Sequence, residues 1–280
     1  MGIDIYSARF LHSEKKRGLD LGHTLTLGHQ AVYIDVEAYR SLISSLGIPC
    51  EETIYADDLF RGLGAKSVDV MDASSYEGAN LVHNLNEPVS RELVEKYDCV
   101  FDGGSLEHVF NFPVALKNCL EMVKVGGRFI TITPTNAQCG HGFYQFSPEL
   151  FYSTLCAENG FCLERMLFVW HSRWFSVRKP ADIKERVELF TDEPTSLFIS
   201  AKRMERKSVF ARWPQQSDYI ASWNSSTPGT PPAEAFGPFK ERVLRFSPFI
   251  RGLQGRWRTY KHRKKCQPLN RAWFAPANLD

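Results

Sequence analysis

Short apolar runs alternate along the first 160 residues with segments whose apolar positions recur at helical spacing. Asp35 is a predicted helix N-cap and Gly47 the matching helix end. Strands that alternate with helices imply crossover connections, and hence an α/β fold with a mostly parallel, doubly wound sheet. The predicted strands are 24–28, 67–72, 80–86, 98–101 and 128–133, and the predicted helices are 36–46, 112–123 and 148–158.

The pattern changes after residue 160. Strands at 163–170 and 195–201, separated by a charged helix near 181–189, indicate antiparallel strands at the sheet edge. A Pro/Gly/Ser/Thr-rich stretch at 221–238 is typical of a linker. We therefore predict three segments, a folded domain, a linker and a basic C-terminal extension, at 1–210, 211–238 and 239–280.

The composition limits which classes of protein the chain can belong to. The 280 residues are 43% hydrophobic with a net charge of +2, which is ordinary for a soluble globular chain. The seven cysteines are odd in number and include no Cys-x-x-Cys pair, so we expect neither a disulfide framework nor a structural zinc site, and we expect a reducing cytoplasm. The sequence shows no signal peptide, no apolar run long enough to span a membrane and no recognisable set of metal ligands.

Two stretches carry a family resemblance. "YDCVFDGGSLEHV" (97–109) and "LEMVKVGGRFITITPTN" (120–136) resemble the fourth strand, the next helix start, a Gly-Gly turn and the fifth strand of the class I, Rossmann-like S-adenosylmethionine-dependent methyltransferases. The resemblance covers about 20–170 and includes "FSPELFYSTLCAENGF" (146–161). It implies a Rossmann-like fold and S-adenosylmethionine as cofactor.

The resemblance also implies cofactor-binding residues. Gly28 ends the first strand, where a glycine lets the backbone approach a ligand closely. Asp72 ends the second strand, where the family usually has an acid that takes the ribose hydroxyls. Asn84 ends the third strand, and its carbonyl could accept a hydrogen bond from the adenine amine. Segment 48–65 would then be an insertion.

Further candidates lie at the crevice end of the fourth strand. Asp102 and Gly103 occupy that position, where open α/β sheets bind ligands. His29 and Gln30, however, replace small residues of the family's first loop, so the cofactor lies differently, binds weakly or is absent. The missing Gly-x-Gly-x-x-Gly turn argues against a dinucleotide more than against S-adenosylmethionine, which carries no phosphate.

A glycine-flanked histidine follows the fifth strand. His141 could accept a proton from an acceptor hydroxyl or amine, and Tyr144 could hold that acceptor. The alternative is a loop that serves packing only. Near the fourth strand, we expect His108 to be a buried structural histidine and Glu107 to be a first-turn acid favoured by the helix dipole.

We therefore predict a methyltransferase that acts on a small molecule or a sugar or glycan-precursor nucleophile, by O- or N-methylation. Two alternatives stay open: a non-catalytic binding or assembly protein, and another transferase chemistry on the same fold. Residues 240–265 hold ten Lys/Arg against one acid and could form a solvated helix, a docking surface for an anionic partner or a nucleic-acid patch. We expect this segment to be dispensable for cofactor binding, with the sheet complete before residue 210.

Overall fold

The computed structural model describes residues 2–49, 54–225 and 248–279. The strands are β1 Gly2–Ile3, β2 His23–Leu27, β3 Ala31–Val32, β4 Ser67–Asp72, β5 Leu81–Val82, β6 Tyr97–Asp102, β7 Val123–Asn136, β8 Phe161–Trp170, β9 Arg173–Val177, β10 Thr195–Arg203 and β11 Phe274–Pro276. The helices are α1 Ile5–Lys16, α2 Val36–Leu46, α3 Asp57–Gly62, α4 Phe112–Met122, α5 Pro148–Thr154, α6 Pro180–Ile183, α7 Ser217–Ser225 and α8 Pro248–Lys265.

A nine-stranded sheet runs in the order β11-β9-β8-β10-β7-β6-β2-β4-β5. Strands β5, β4, β2, β6 and β7 are parallel, and β10, β8, β9 and β11 pair antiparallel with their neighbours. The predicted α/β fold with antiparallel edge strands is confirmed. Since the chain leaves β2 toward β4 on one side and toward β6 on the other, the crevice where ligands bind lies between β2 and β6.

Alternation along the central strands builds two cores, because successive side chains of a strand point to opposite faces of the sheet. Val100 and Phe129 pack on one face with α4 and α5. Phe101 and Ile130 pack on the other face with α1, α2 and α3. Both faces are therefore covered, as a parallel sheet requires.

Helix ends explain which boundaries were predictable. Asp35 caps α2 by accepting the Ala38 N–H at 2.9 Å, and Gly47 ends it at a φ of 65°, as expected. The sequence pattern predicts no element over the first 20 residues, where the structure has α1. Asp4 caps that helix by accepting the Ser7 N–H at 2.7 Å.

Some predicted boundaries are wrong. The fifth strand begins before the predicted residue 128: β7 starts at Val123, and Gly126 and Gly127, which the resemblance placed in a turn, lie within it. A Cβ on Gly127 would lie 2.7 Å from the Asp98 carbonyl oxygen, so the close approach of β6 requires glycine there. The charged helix expected at 181–189 is only the single turn α6, and the third strand is only Leu81–Val82.

The C-terminal segment returns to the sheet. Strand β11 pairs antiparallel with β9, and Trp273 and Phe274 are buried in the same core as α4. The expectation that the sheet is complete before residue 210 is therefore wrong. Strand β11 extends the sheet beyond β9, and Trp273 and Phe274 add their side chains to the core. Helix α7 occupies the start of the predicted linker, and 226–238 lies outside the described residues. Among the described helices, none is long and apolar enough to cross a bilayer.

Candidate functional site

A cavity of about 270 Å³ opens at the carboxyl ends of β2 and β4, beside the turn that follows β6. Gly28, Asp72 and Asn84 line it together with Ser105 and His108. Three residues predicted from separate strands thus meet at one edge of the sheet. Gly28 has a φ of 72°, where glycine is favoured, and its N–H donates to the Met71 carbonyl at 2.7 Å.

Asp72, at the end of β4, and Asn84, after β5, differ in how many hydrogen bonds their side chains already make. Asp72 accepts the neighbouring Ala73 N–H at 2.6 Å through one carboxylate oxygen. The Asn84 carbonyl oxygen already accepts two hydrogen bonds from Asn86, at 3.1 Å from its N–H and 2.8 Å from its side-chain amide. Asn84 therefore shapes the loop, and its predicted bond to an adenine amine would compete with Asn86.

Asp102 lies beneath the crevice rather than in it. Its carboxylate is fully buried and accepts the Ser105 N–H at 2.8 Å, the Leu106 N–H at 3.3 Å and the Thr131 hydroxyl at 2.7 Å. Burial raises the pKa of this carboxyl group. Asp102 thus holds the turn that shapes the cavity wall, and its side chain does not line the cavity.

The loop after β2 is filled by its own side chains. Gln30 is buried and donates to the Leu27 carbonyl at 2.6 Å, and its side-chain oxygen has no hydrogen-bond partner. A Cβ on Gly103 would lie 2.2 Å from that oxygen, so Gln30 is what requires glycine at 103. The ring of His29 stacks on Tyr55, with centroids 3.5 Å apart.

The inserted segment secures this loop. The two ring nitrogens of His29 lie 2.7 Å from the Asp57 carboxylate and 2.6 Å from the Glu77 carbonyl. Asp57 begins α3, which lies within the segment 48–65 that the sequence marked as an insertion. In place of a glycine-rich loop, the chain therefore has a packed loop held by side chains from the insertion.

The loop that carries His141 rests on the turn after β6. The Glu107 carbonyl accepts the N–H groups of Phe143, at 2.8 Å, and Tyr144, at 3.3 Å. A Cβ on Gly142 would lie 2.8 Å from the same carbonyl, so that glycine permits contact with the turn. The Tyr144 hydroxyl donates to the Phe110 carbonyl at 2.7 Å, so it already serves to hold the two loops together.

Glu107 is the residue that sequence reasoning misjudged most. It lies in a 3₁₀ turn, Leu106–His108, with only 1% of its side chain exposed. Burial, followed by the nearby Asp102 carboxylate, raises the pKa of Glu107 to about 8. Its Oε1 lies 3.5 Å from Nε2 of His141, and its Oε2 is buried without a hydrogen-bond partner.

His108 is exposed, contrary to the expectation of a buried structural histidine. Its ring lies 5.2 Å from that of His141 between centroids. The only sequence signal for this cluster is the adjacency of Glu107 and His108, since His141 is 33 positions away. His108, which lines the cavity, and the buried Glu107 therefore lie next to His141, the predicted base.

Metal-binding atoms come together in two places within the described ranges. Glu107, His108 and His141 bring theirs within 4.8 Å of one another, and so do Glu188, His262 and Cys266. The first set borders the cavity. The second lies at the end of α8, where the chain turns toward β11.

No protein-family model matches the chain, and no curated protein sequence matches it. Solved structures that are similar include a Bacillus halodurans protein assigned as a methyltransferase, at 10% identity and a TM-score of 0.38 over 73% of this chain and 100% of that one. A Listeria monocytogenes protein assigned as an S-adenosylmethionine-dependent methyltransferase matches at 16% identity and 0.39, over 71% and 100%.

A geranyl diphosphate methyltransferase in complex with S-adenosylmethionine matches at 11% identity and a TM-score of 0.40, over 71% of this chain and 85% of that chain. Overlaps this loose carry no conclusion about the activity of the present chain. The fold assignment rests on the strand order and pairing described above.

Proposed function

We propose that this protein is a methyltransferase that uses S-adenosylmethionine, with the nucleoside of the cofactor in the cavity beside Gly28 and Asp72. The observation that carries the proposal is the position of that cavity. It lies at the carboxyl edge of the sheet next to the β2/β6 switch point, and it brings together residues from three separate connections. The predicted family resemblance points to the same edge.

The residues present fit the nucleoside half of such a cofactor. Asp72 offers a carboxylate at the end of β4, where two ribose hydroxyls would find a charged acceptor. Gly28 leaves one wall without a side chain, so a ligand can approach the backbone there. The buried Gln30 side chain fills the loop that the family leaves small, so the amino-acid half of the cofactor must lie outside that loop.

When bound, the cofactor supplies an activated methyl group, so the chain's own task is to position an acceptor and remove its proton. His141 is exposed, 3.5 Å from the buried Glu107 carboxyl group, and its ring lies 5.2 Å between centroids from that of His108, which lines the cavity. This arrangement supports His141 as the proton acceptor, with the buried Glu107 carboxyl group beside it.

The acceptor is proposed to be a small molecule, with a sugar or glycan-precursor hydroxyl or amine as the reacting group. Two exposed aromatic rings pack against each other near His141: Phe110 is 71% exposed and Phe143, two residues after His141, is 67% exposed, with ring centroids 5.7 Å apart. Exposed aromatic pairs offer an apolar face on which a ring-shaped acceptor can stack. This surface supports a compact acceptor.

A second candidate function is nucleoside binding without turnover. The packing of His29 and Gln30 favours it, and so does β1, whose Gly2 N–H donates to the Gly103 carbonyl at 3.3 Å across the switch point. A protein of this kind would bind the cofactor's nucleoside and transfer no methyl group.

Calorimetry with S-adenosylmethionine and S-adenosylhomocysteine tests the proposal. We expect both ligands to bind, and Asp72→Ala to weaken binding about tenfold or more, because a charged hydrogen-bond acceptor contributes roughly 1.5–3 kcal/mol. Asp192→Ala, which removes an exposed carboxylate outside the cavity, is the matched control and should bind normally.

Absence of heat with folded wild-type protein would exclude both candidate functions. Binding without formation of S-adenosylhomocysteine across a panel of acceptors would favour the second one. An anionic partner for the basic helix α8 stays a prediction that is separate from these measurements.

A further inference from the structure

Three side chains of different chemistry meet where α8 ends. His262 and Cys266 are four residues apart on one face of the helix, and Glu188 reaches them from the segment after α6. Nε2 of His262 lies 2.8 Å from Oε2 of Glu188, and Sγ of Cys266 lies 3.6 Å from that nitrogen and 3.8 Å from that oxygen.

The two separations from sulfur are close to the edges of a zinc coordination tetrahedron, and the His262–Glu188 contact would need to lengthen by about 0.5 Å. Bonds of about 2.3 Å to sulfur and 2.0–2.1 Å to nitrogen or oxygen place tetrahedral ligands about 3.5 Å apart when sulfur is one of them, and about 3.3 Å apart otherwise. An ordinary histidine–carboxylate ion pair accounts for the 2.8 Å contact alone. It does not account for a cysteine sulfur placed at nearly equal distances from both partners.

We propose that Glu188, His262 and Cys266 form a site for one zinc ion that fastens the end of α8 to the segment after α6. The ligand types suit zinc, which binds thiolate, imidazole and carboxylate and leaves a fourth position for water. The thiol gives up its proton on binding, so the ion, one thiolate and one carboxylate together carry no net charge.

Backbone hydrogen bonds already hold the two segments that carry the three ligands next to each other. The Phe190 N–H donates to the Cys266 carbonyl at 2.8 Å, and the Cys266 N–H donates to the His262 carbonyl at 3.0 Å. Because these bonds fix both segments before any ion arrives, the ligands need only small adjustments to bind. Cys266 is buried, while His262 and Glu188 are exposed, which leaves an entry path from solvent.

The surrounding charge does not prevent binding. Arg263, Lys264 and Lys265 follow His262, but Lys265 pairs with Glu185 at 3.1 Å and Arg263 lies over the Phe190 ring, 4.3 Å from its centroid. The carbonyl end of α8 also favours a cation. The bound ion would hold the chain where it leaves the basic helix and turns toward β11.

Cobalt(II) titration of the full-length, metal-free protein tests the proposal, because cobalt replaces zinc and reports thiolate ligation by charge-transfer absorption in the near ultraviolet. We expect one cobalt per chain with that band, and its displacement by zinc. His262→Gln and Glu188→Gln should each weaken cobalt binding at least about tenfold, since even second-shell changes at metal sites cost about 10–100-fold. Cys266→Ser should abolish the band.

Two control variants test whether the loss of cobalt binding is specific to the proposed ligands. Cys162→Ser removes an exposed thiol on β8, and His171→Asn removes an exposed histidine paired with Asp192, 3.2 Å away. Both should keep the band and the affinity. The set at Glu107 contains no thiol, so an ion bound there would not produce the band.

The proposal is overturned if wild-type protein at saturating cobalt shows no thiolate band, or if the band survives Cys266→Ser. If that variant does not fold, the two substitutions at exposed ligands decide, and unchanged affinity in both overturns the proposal.

Discussion

The two halves of the sheet use their strand ends differently. In the parallel half, β2, β4 and β6 all stop at the same edge, and the polar groups that follow them surround one cavity. In the antiparallel half, β10, β8 and β9 turn back on one another, and β11 pairs with the outer side of β9. Side chains available to a ligand therefore collect where parallel strands end together, and side chains that stabilise the fold collect where the chain returns.

The antiparallel half should respond to substitution mainly in stability. Phe274→Ala removes a fully buried ring from β11 and should lower the free energy of unfolding by about 3–5 kcal/mol, as other large-to-small core changes do. Leu269→Ala, in the same segment but 60% exposed, should change it by no more than about 0.5 kcal/mol. Denaturant titration of both variants measures the difference, and equal effects would mean that β11 does not contribute to the core.

The parallel half should respond mainly in chemistry. His141→Ala should lower turnover about 100-fold or more with cofactor affinity little changed, because a general base contributes about 10²–10⁴-fold. Turnover is measured as formation of S-adenosylhomocysteine with an acceptor found by screening, and affinity is measured by calorimetry. His171→Asn, which changes an exposed histidine in the β8–β9 turn, should leave both unchanged. Near-normal turnover of His141→Ala would place the base elsewhere.

A smaller effect in the parallel half concerns how its stability depends on pH. Because the pKa of Glu107 is raised to about 8, the native state keeps a proton that the unfolded state releases above the usual glutamate range. Wild-type stability should therefore fall as pH rises between about 5 and 8. Glu107→Gln removes that dependence, so its stability relative to wild type should rise with pH across this range, by up to about 1.4 kcal/mol per pH unit.

Thermal or urea unfolding at several pH values measures this gain. Glu92→Gln, at an exposed glutamate in the 3₁₀ turn before β6, is the control and should follow wild type at every pH. Parallel stability–pH curves for Glu107→Gln and wild type would show that the buried carboxyl group is ionised in the native state.

Much of the fold could be predicted because its signals are local. Asp35 and Gly47 bracket α2 through contacts within three or four residues, and the run 67–72 coincides with β4. Gly126-Gly127 misled the prediction of where the fifth strand begins, because a glycine pair has the same local signature in a turn as in a strand that another backbone approaches closely. Only the position of the Asp98 carbonyl separates the two cases.

The candidate site was predicted in outline and not in its contacts. Gly28 and Asp72 could be placed at the cavity because parallel strands end at a common edge. The polar character of Asp102 did not reveal that its carboxylate is buried, where it accepts a hydrogen bond from the Thr131 hydroxyl of another strand. The same limit applies to Tyr144, whose hydroxyl is taken by a carbonyl from a different loop.

By itself the sequence determined the alternation of strands and helices, and with it the α/β class and the edge at which a ligand would bind. Those properties follow from the spacing of apolar residues and from capping side chains, which act over a few positions. Only the tertiary structure decided that Glu107 is buried beside His141, that Gln30 fills the loop after β2, and that Glu188 meets His262 and Cys266. Burial and proximity depend on segments far apart in the chain, and no local sequence pattern shows which distant segment packs against a given residue.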